Sequence, residues 1–355
     1  MKKLLSLLVV IAMVLTLGAC SSGSSKSNGE LYIFLPGEYI SDDAIKQFKQ
    51  ETGIDVKVTT FDSNESMYTK LLGGTSYDII IPSDYMIERL IAEKMVQKLD
   101  KSKLTCLDEL CDDVKNTEYD PNNDYSVPYF WGNVGIVYDT TIVDSKDVES
   151  EGWKVLQNTK YAGQIYMYDS IRDSFMIAEK ALGYSMNTTS EEEINAAYDW
   201  LKVISDTMDP AFVTDEAIDG LVTGEKAMGM MYSGDAAYIL SENENMAYYA
   251  PKEGTNYWID AMVIHADAKN VDNAYEFINF ITSYDGAYEN SSYVGYASVN
   301  AQVLEDITAA DGDYEGNEAY IPRAKTSNDE TFHSNTDALK DALKLASELW
   351  VKVKS

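Results

Sequence analysis

Apolar residues along the chain fall into short continuous or alternating runs and runs at helical spacing, and the two patterns take turns. Leu31 to Leu35 predicts a short buried strand. Ser41 then stands where a helix N-cap belongs, ahead of Ala44, Ile45 and Phe48 on one helical face, and Gly53 supplies the left-handed residue that stops the helix. Ile54, Val56 and Val58 alternate with Asp55, Lys57 and Thr59, the period of a strand. Met67 to Leu72 predicts a helix halted by Gly73-Gly74, and Tyr77 to Ile81 a buried strand ahead of Pro82. Met86 to Leu99 carries Ile87, Leu90, Ile91 and Met95 at helical spacing. Strand and helix alternating in this way build a parallel sheet with helices on both faces. Ligands of such sheets sit at the carboxyl ends of the strands, here Pro36 to Tyr39 and Ser83 to Tyr85.

A second alternating set follows. Val134 to Tyr138 predicts a strand able to pass from one lobe to another, and Ser190-Glu191-Glu192-Glu193 a capping box opening a helix that buries Ile194, Ala197, Tyr198 and Leu201. Ala227 to Tyr232 and Trp258 to Ile264 predict strands, Ala274 to Ile281 a helix, and Thr336 to Val353 a last helix with Leu339, Leu343, Leu345 and Leu349 in register. With 355 residues, 45% of them hydrophobic, the chain has material for two domains. The expected architecture is two α/β lobes with a ligand cleft between them.

The N-terminus bears on location. Lys2 and Lys3 precede an apolar run from Leu4 to Leu17, the build of a secretory signal rather than a membrane span. Leu17-Gly18-Ala19-Cys20 resembles a bacterial lipobox, so residues 1–19 are expected to be removed and Cys20 to carry lipid. Residues 20–29, rich in Ser, Gly and Lys, then form a tether. The protein is thus expected outside the cytoplasm, lipid-anchored to the outer face of the cell membrane (the periplasmic side in a Gram-negative cell).

Charge narrows the partners. Against 28 Lys and Arg stand 59 Asp and Glu, for a net charge of −31, which repels nucleic acid and anionic headgroups and attracts cations. Two histidines and three cysteines leave little for a zinc site or a Ser-His-Asp triad, and no metal or cofactor is expected. Cys106 and Cys111 allow either a small-loop disulfide or two buried thiols. Acids and aromatics meet at predicted strand ends in Glu38-Tyr39, Ser83-Asp84-Tyr85, Asp169-Ser170-Ile171-Arg172-Asp173, Trp258-Ile259-Asp260 and Gly295-Tyr296, with Tyr232 at another. Carboxylates pair with ammonium groups, and aromatic faces cover methylenes while attracting cations.

Longer runs carry a resemblance. Gln50-Glu51-Thr52-Gly53-Ile54, Ser63-Asn64-Glu65-Ser66-Met67-Tyr68, Met95-Val96-Gln97-Lys98-Leu99-Asp100, Asp120-Pro121-Asn122-Asn123-Asp124-Tyr125 and Leu182-Gly183-Tyr184-Ser185-Met186-Asn187-Thr188-Thr189 resemble the spermidine/putrescine-binding (PotD) family of polyamine ABC importers. The resemblance implies a two-lobed type II periplasmic-binding-protein fold, each lobe a mixed, mainly parallel sheet flanked by helices. It divides the chain into a first lobe of residues 30–135 and 259–304 and a second of 136–258 and 305–355. It also implies a monomer that closes on a polyamine and hands it to a permease with its ATPase, without catalysis.

Position by position, the resemblance puts Tyr39, Ser83 and Tyr85 on the first lobe's side of the cleft, with Glu38 beside them. Asp173 matches a glutamate that holds a ligand amine, Tyr232 stands for a tryptophan, Trp258 and Asp260 match an aromatic wall and an inner-amine carboxylate, and Tyr296 another wall. Pro36 replaces a tryptophan and Ser170 a carboxylate, for which the adjacent Asp169 could substitute; His333 lies near the place of a glutamine. These departures bear on the choice between spermidine and putrescine. The rival expectations are a binding protein of the same fold for thiamine, ferric iron or a sugar, and a surface lipoprotein hydrolase.

Overall fold

The computed structural model describes residues 28–355. The first half-lobe runs β1 (Glu30–Pro36), α1 (Asp42–Thr52), β2 (Asp55–Phe61), α2 (Asn64–Leu72), β3 (Ile79–Ile80) and α3 (Asp84–Ala92). β1 pairs in parallel with both β2 and β3, so the alternation read from the sequence becomes a parallel sheet. Ser41 caps α1 by accepting from the Asp43 and Ala44 N–H groups, and Gly53 ends it at φ 75°.

The chain continues through β4 (Ser126–Asp139), α4 (Ser145–Glu151), β5 (Ile165–Tyr168), α5 (Ile171–Leu182), α6 (Glu191–Met208), β6 (Ala211–Val213), α7 (Glu216–Val222), β7 (Met228–Tyr232), α8 (Ser233–Glu242) and β8 (Met246–Tyr249). It returns in β9 (Tyr257–Ile264), α9 (Val271–Thr282), α10 (Tyr284–Val294), β10 (Ala297–Ser298) and α11 (Ala301–Thr308), and ends in α12 (Asp337–Val353). Strand order is β2-β1-β3-β9-β4-β7-β5-β6, with β8 and β10 also on β4. β4 links the lobes: its first half, Ser126 to Asn133, pairs with β9, and its second, Val134 to Asp139, with β7 and β8. All 14 of its residues are buried, as a strand between two packed layers must be. The second lobe is closed by α12 packing on α5 and α6.

Several local expectations needed correction. The helix expected over Met86 to Leu99 stops at Ala92, because Lys94 turns left-handed at φ 60° and Val96 bridges to His265 at the end of β9. Val58 is exposed, since β2 is the sheet edge, and Ile45 of α1 is only half-buried. The capping box of α6 is half made: Ser190 accepts from the Glu193 N–H, but the Glu193 carboxylate takes the Thr188 hydroxyl instead of reaching back. On α12 the buried residues are Ala346, Leu349, Trp350 and Val353, while Leu339, Leu343 and Leu345 are only half-buried. Cys106 and Cys111 are both free and buried. Among the described residues no helix is long and apolar enough to cross a membrane; Cys20 and residues 1–27 lie outside them.

Candidate functional site

Strand ends and helix starts of both lobes converge on a cavity of about 750 Å3. Tyr39, Ser83, Tyr85, Asp260 and Tyr296 line it from the first lobe, Ser170, Asp173 and Tyr232 from the second, and Trp258 at the start of β9. Asp169 lines it as well.

Asp173 sits in the first turn of α5, whose N-cap is Ser170. The Ser170 hydroxyl donates to Asp173 Oδ2 at 2.6 Å, and the Tyr232 hydroxyl donates to the same oxygen at 2.8 Å. Asp173 is 4% exposed, and its Oδ1 has no hydrogen-bond partner. Burial pushes this carboxyl up from its ordinary value, and the two hydroxyls pull it partly back. Ser170 therefore both caps the helix and orients the Asp173 carboxylate.

Asp260 repeats the arrangement on the other wall. Tyr39 donates to its Oδ2 at 2.6 Å, while Oδ1 has no partner and the residue is 8% exposed. Burial raises this carboxyl too, opposed by the Tyr39 hydroxyl. Tyr39, Tyr232 and Tyr296 are held well above the usual phenol range, by burial first and then by the neighbouring acids, so all three stay protonated donors. Trp258 fixes the aromatic corner: its ring meets Tyr296 edge-on at 5.2 Å and Tyr232 edge-on at 6.2 Å, and its Nε1 is buried without a partner. Its period-two spacing from Asp260 puts both on the cleft face of β9.

Other candidates stand elsewhere or are already engaged. Glu38 adopts φ 52° and meets the exposed Tyr293 hydroxyl at 3.3 Å, outside the cavity lining. Asp169 cannot stand in freely for a second carboxylate, because Lys354 Nζ holds it at 2.6 Å and Trp350 Nε1 at 3.0 Å. His333 does not line the cleft; it lies 3.5 Å from Glu88 and 3.4 Å from Glu118, and pairing with Glu88 raises its pKa. Ser83 occupies the N-cap of α3 without making the side-chain cap, and accepts instead from Asn64 Nδ2 at 3.0 Å.

Four contributors were not assigned as site residues from the sequence, although Asp84 and Arg172 stand within the acid-aromatic runs it singled out. Arg172 lines the cleft, with its guanidinium 4.5 Å over the Tyr85 ring and 3.6 Å from Glu65. Asp84 accepts from the Tyr85 and Ile259 N–H groups, and burial pushes its carboxyl up to about 7. Gly132 and Gly234 make room for aromatics: a Cβ on the first would strike the Trp258 ring, and one on the second the Tyr296 ring. No local signal announces such packing partners. Among the described residues no group of three or more His, Cys, Asp or Glu could hold a metal ion. The arrangement suits an organic cation with apolar stretches, since partnerless carboxylate oxygens and aromatic faces share one cleft.

Two lobes joined by a shared strand around such a cleft are the architecture of the type II solute-binding proteins. The family model for the bacterial extracellular solute-binding protein matches residues 43–319. The spermidine/putrescine-binding periplasmic protein of Escherichia coli K12 is 38% identical over 293 residues, 81% of this chain and 83% of that protein. The putrescine-binding periplasmic protein SpuD of Pseudomonas aeruginosa is 31% identical over 84% of this chain and 86% of that one. The crystal structure of the spermidine/putrescine ABC transporter substrate-binding protein PotD from Streptococcus pneumoniae superposes with a TM-score of 0.80 at 34% identity, covering 92% of this chain and all 100% of that one. The chain belongs to the bacterial extracellular solute-binding proteins and, among them, to the spermidine/putrescine-binding PotD family.

Proposed function

We propose that the protein captures a linear polyamine, spermidine or putrescine, outside the cytoplasm and delivers it to an ABC permease and its ATPase. The observation that carries this is the pair of buried carboxylates, Asp173 and Asp260, on opposite walls, each with one oxygen already oriented by hydroxyls and one without a partner. An ammonium at each end of a diamine would satisfy them, and Trp258, Tyr232 and Tyr296 would cover the methylenes between. Tyr39, Ser83, Tyr85 and Ser170 position these groups. The ligand touches both walls, so it favours the closed arrangement by contacts the open one lacks. Closure would bend the chain where it passes between lobes, with residues 30–135 and 259–304 moving against 136–258 and 305–355. Cys20 carries the lipid that keeps the protein, as a monomer, at the membrane.

The hydrolase alternative gains nothing from the histidines: neither lines the main cavity, His265 lying instead beside Lys94 and Met95 in a separate one. Isothermal titration with spermidine, putrescine, thiamine and maltose tests the proposal. Heat with a polyamine alone is expected, and no heat with either polyamine rejects it.

A further inference from the structure

Arg172 is at odds with a cleft built for cations. Among the described residues it is the only Lys or Arg lining the main cavity, whose other charged walls are all acidic. It stands in the first turn of α5 beside Asp173, so a bound ammonium and this guanidinium would face each other as like charges. The side chain is nevertheless engaged. Its guanidinium carbon lies 4.5 Å from the centre of the Tyr85 ring and 5.7 Å from that of Phe332, both within cation–π range. Its Nη2 lies 3.6 Å from Glu65 Oε1, the oxygen that also accepts the Tyr85 hydroxyl at 3.2 Å.

Two of these partners come from the opposite side of the cleft. Glu65 stands in the first turn of α2 and Tyr85 in the first turn of α3, both in the β1–β3 half, whereas α5 follows β5 in the other half. Phe332 belongs to the segment before α12, and that segment itself reaches α3 where the Ser334 hydroxyl donates to the Tyr85 carbonyl at 2.7 Å. Burial, with Glu65 adding to it, holds the Tyr85 phenol well above its ordinary value, so it stays a donor to Glu65. An open cleft would part Arg172 from Tyr85 and Glu65 and return the guanidinium to water. The contact is therefore specific to the closed arrangement and asks nothing of the ligand's length. The ring contributes more to it than the ion pair, because the Glu65 side chain is 57% exposed and screened by solvent.

We propose that Arg172 is a positioning residue for capture: it holds the second lobe against the first through Tyr85 and Glu65, and so slows release of whichever polyamine Asp173 and Asp260 have bound. This rests on the polyamine function above and adds the residue that governs how long the ligand stays. Because Glu65 and the two rings engage the guanidinium, Asp173 Oδ1 is left without a partner and open to an amine. Tyr85 gives one ring face to Arg172 rather than to the ligand. Apparent affinity scales with the population of the closed form, so weakening the latch lowers it by one factor for every ligand of the cleft.

The test joins titration calorimetry to stopped-flow tryptophan fluorescence, with Trp258 in the cleft as reporter. Wild type, Arg172→Met, Arg172→Lys, Glu65→Gln and the Arg172→Met/Glu65→Gln double variant are each titrated with putrescine and spermidine. Arg172→Met should weaken both polyamines by the same factor, about 3- to 30-fold, through faster dissociation, with association held within about twofold. Arg172→Lys keeps the charge but not the planar fork, and should fall between Arg172→Met and wild type. Glu65→Gln should cost about threefold or less alone, and less than about twofold further on top of Arg172→Met. Unchanged or tighter binding by Arg172→Met, a loss confined to one polyamine, or a loss carried by slower association overturns the latch and leaves the polyamine function standing. Absence of heat with either polyamine in wild type overturns both, so the two failures are distinguishable.

Discussion

Replacing Asp260 by Asn removes the charge and little else. The carboxylate's Oδ2 accepts the Tyr39 hydroxyl at 2.6 Å, a bond an amide oxygen also accepts, while Oδ1 has no protein partner to lose. The fold should therefore survive, and ligand-free stability should hold or rise because a buried group that resists ionisation has been neutralised. Binding should not survive so well. Removing one partner of a buried, hydrogen-bonded charge pair costs about 2–5 kcal/mol, which is roughly 30- to 5,000-fold in affinity. The lower part of that range is expected as pH falls, where wild type must itself spend more binding energy to ionise the raised carboxyl. Titration calorimetry with putrescine and spermidine near pH 7.5, beside thermal melting of the ligand-free proteins, reads both quantities. An Asn variant that melts like wild type and binds both polyamines within about threefold of it would show that Asp260 is not an ammonium partner.

Asp173→Asn should weaken both polyamines by a similar factor of roughly 30 or more, again by calorimetry, and an unchanged affinity would remove the second-lobe anchor. Trp258→Ala should lower polyamine affinity and, because the ring is buried between Tyr232 and Tyr296, also cost about 3–5 kcal/mol of stability measured by denaturant melts; full affinity would place the ligand elsewhere. Ser170→Asp sets a second acid against Asp173 and should shift the preference towards the ligand with the additional amine; an unchanged spermidine-to-putrescine ratio would discard that role. Asp84 has its carboxyl raised from 3.8 to about 7, so its stabilising contribution is complete below about pH 4 and is lost as pH rises through about 7. Ligand-free melting temperature should thus fall across that window, and Asp84→Asn should flatten the fall; equal slopes would contradict the assignment.

The parallel core was legible because its cues are local: an N-cap at Ser41, a left-handed stop at Gly53, and apolar runs of strand length at Leu31 and Tyr77. Errors arose where a distant partner overrode the local period. Met95 continues the helical spacing of α3, yet the backbone turns at Lys94 so that Val96 can bridge to β9, a pairing no window around residue 95 contains. Glu38 beside Tyr39 formed the same acid-aromatic cue as the other strand ends, but its positive φ leaves the carboxylate with Tyr293 outside the cavity. Asp169 and Lys354 meet across 185 positions, so the sequence showed a spare carboxylate where the fold has an ion pair.

That ion pair points to what separates a binding acid from the rest. With 59 acidic residues and a net charge of −31, attraction for cations is a property of the whole surface and cannot by itself choose a site. Most acids in or near the cleft are already engaged: Asp84 by two backbone N–H groups, Asp169 by Lys354, Glu65 by Arg172, and Asp235 by the Tyr296 hydroxyl. Asp173 and Asp260 differ in being buried, oriented by hydroxyl donors, and left with one oxygen each that nothing in the protein satisfies. Desolvation makes ionising them costly without a ligand and makes a correctly spaced pair of ammonium groups the natural remedy. On the proposed function, long-range charge governs how fast the cation arrives, so raised salt should slow association more than it speeds dissociation, while the two unsatisfied oxygens select which cation stays.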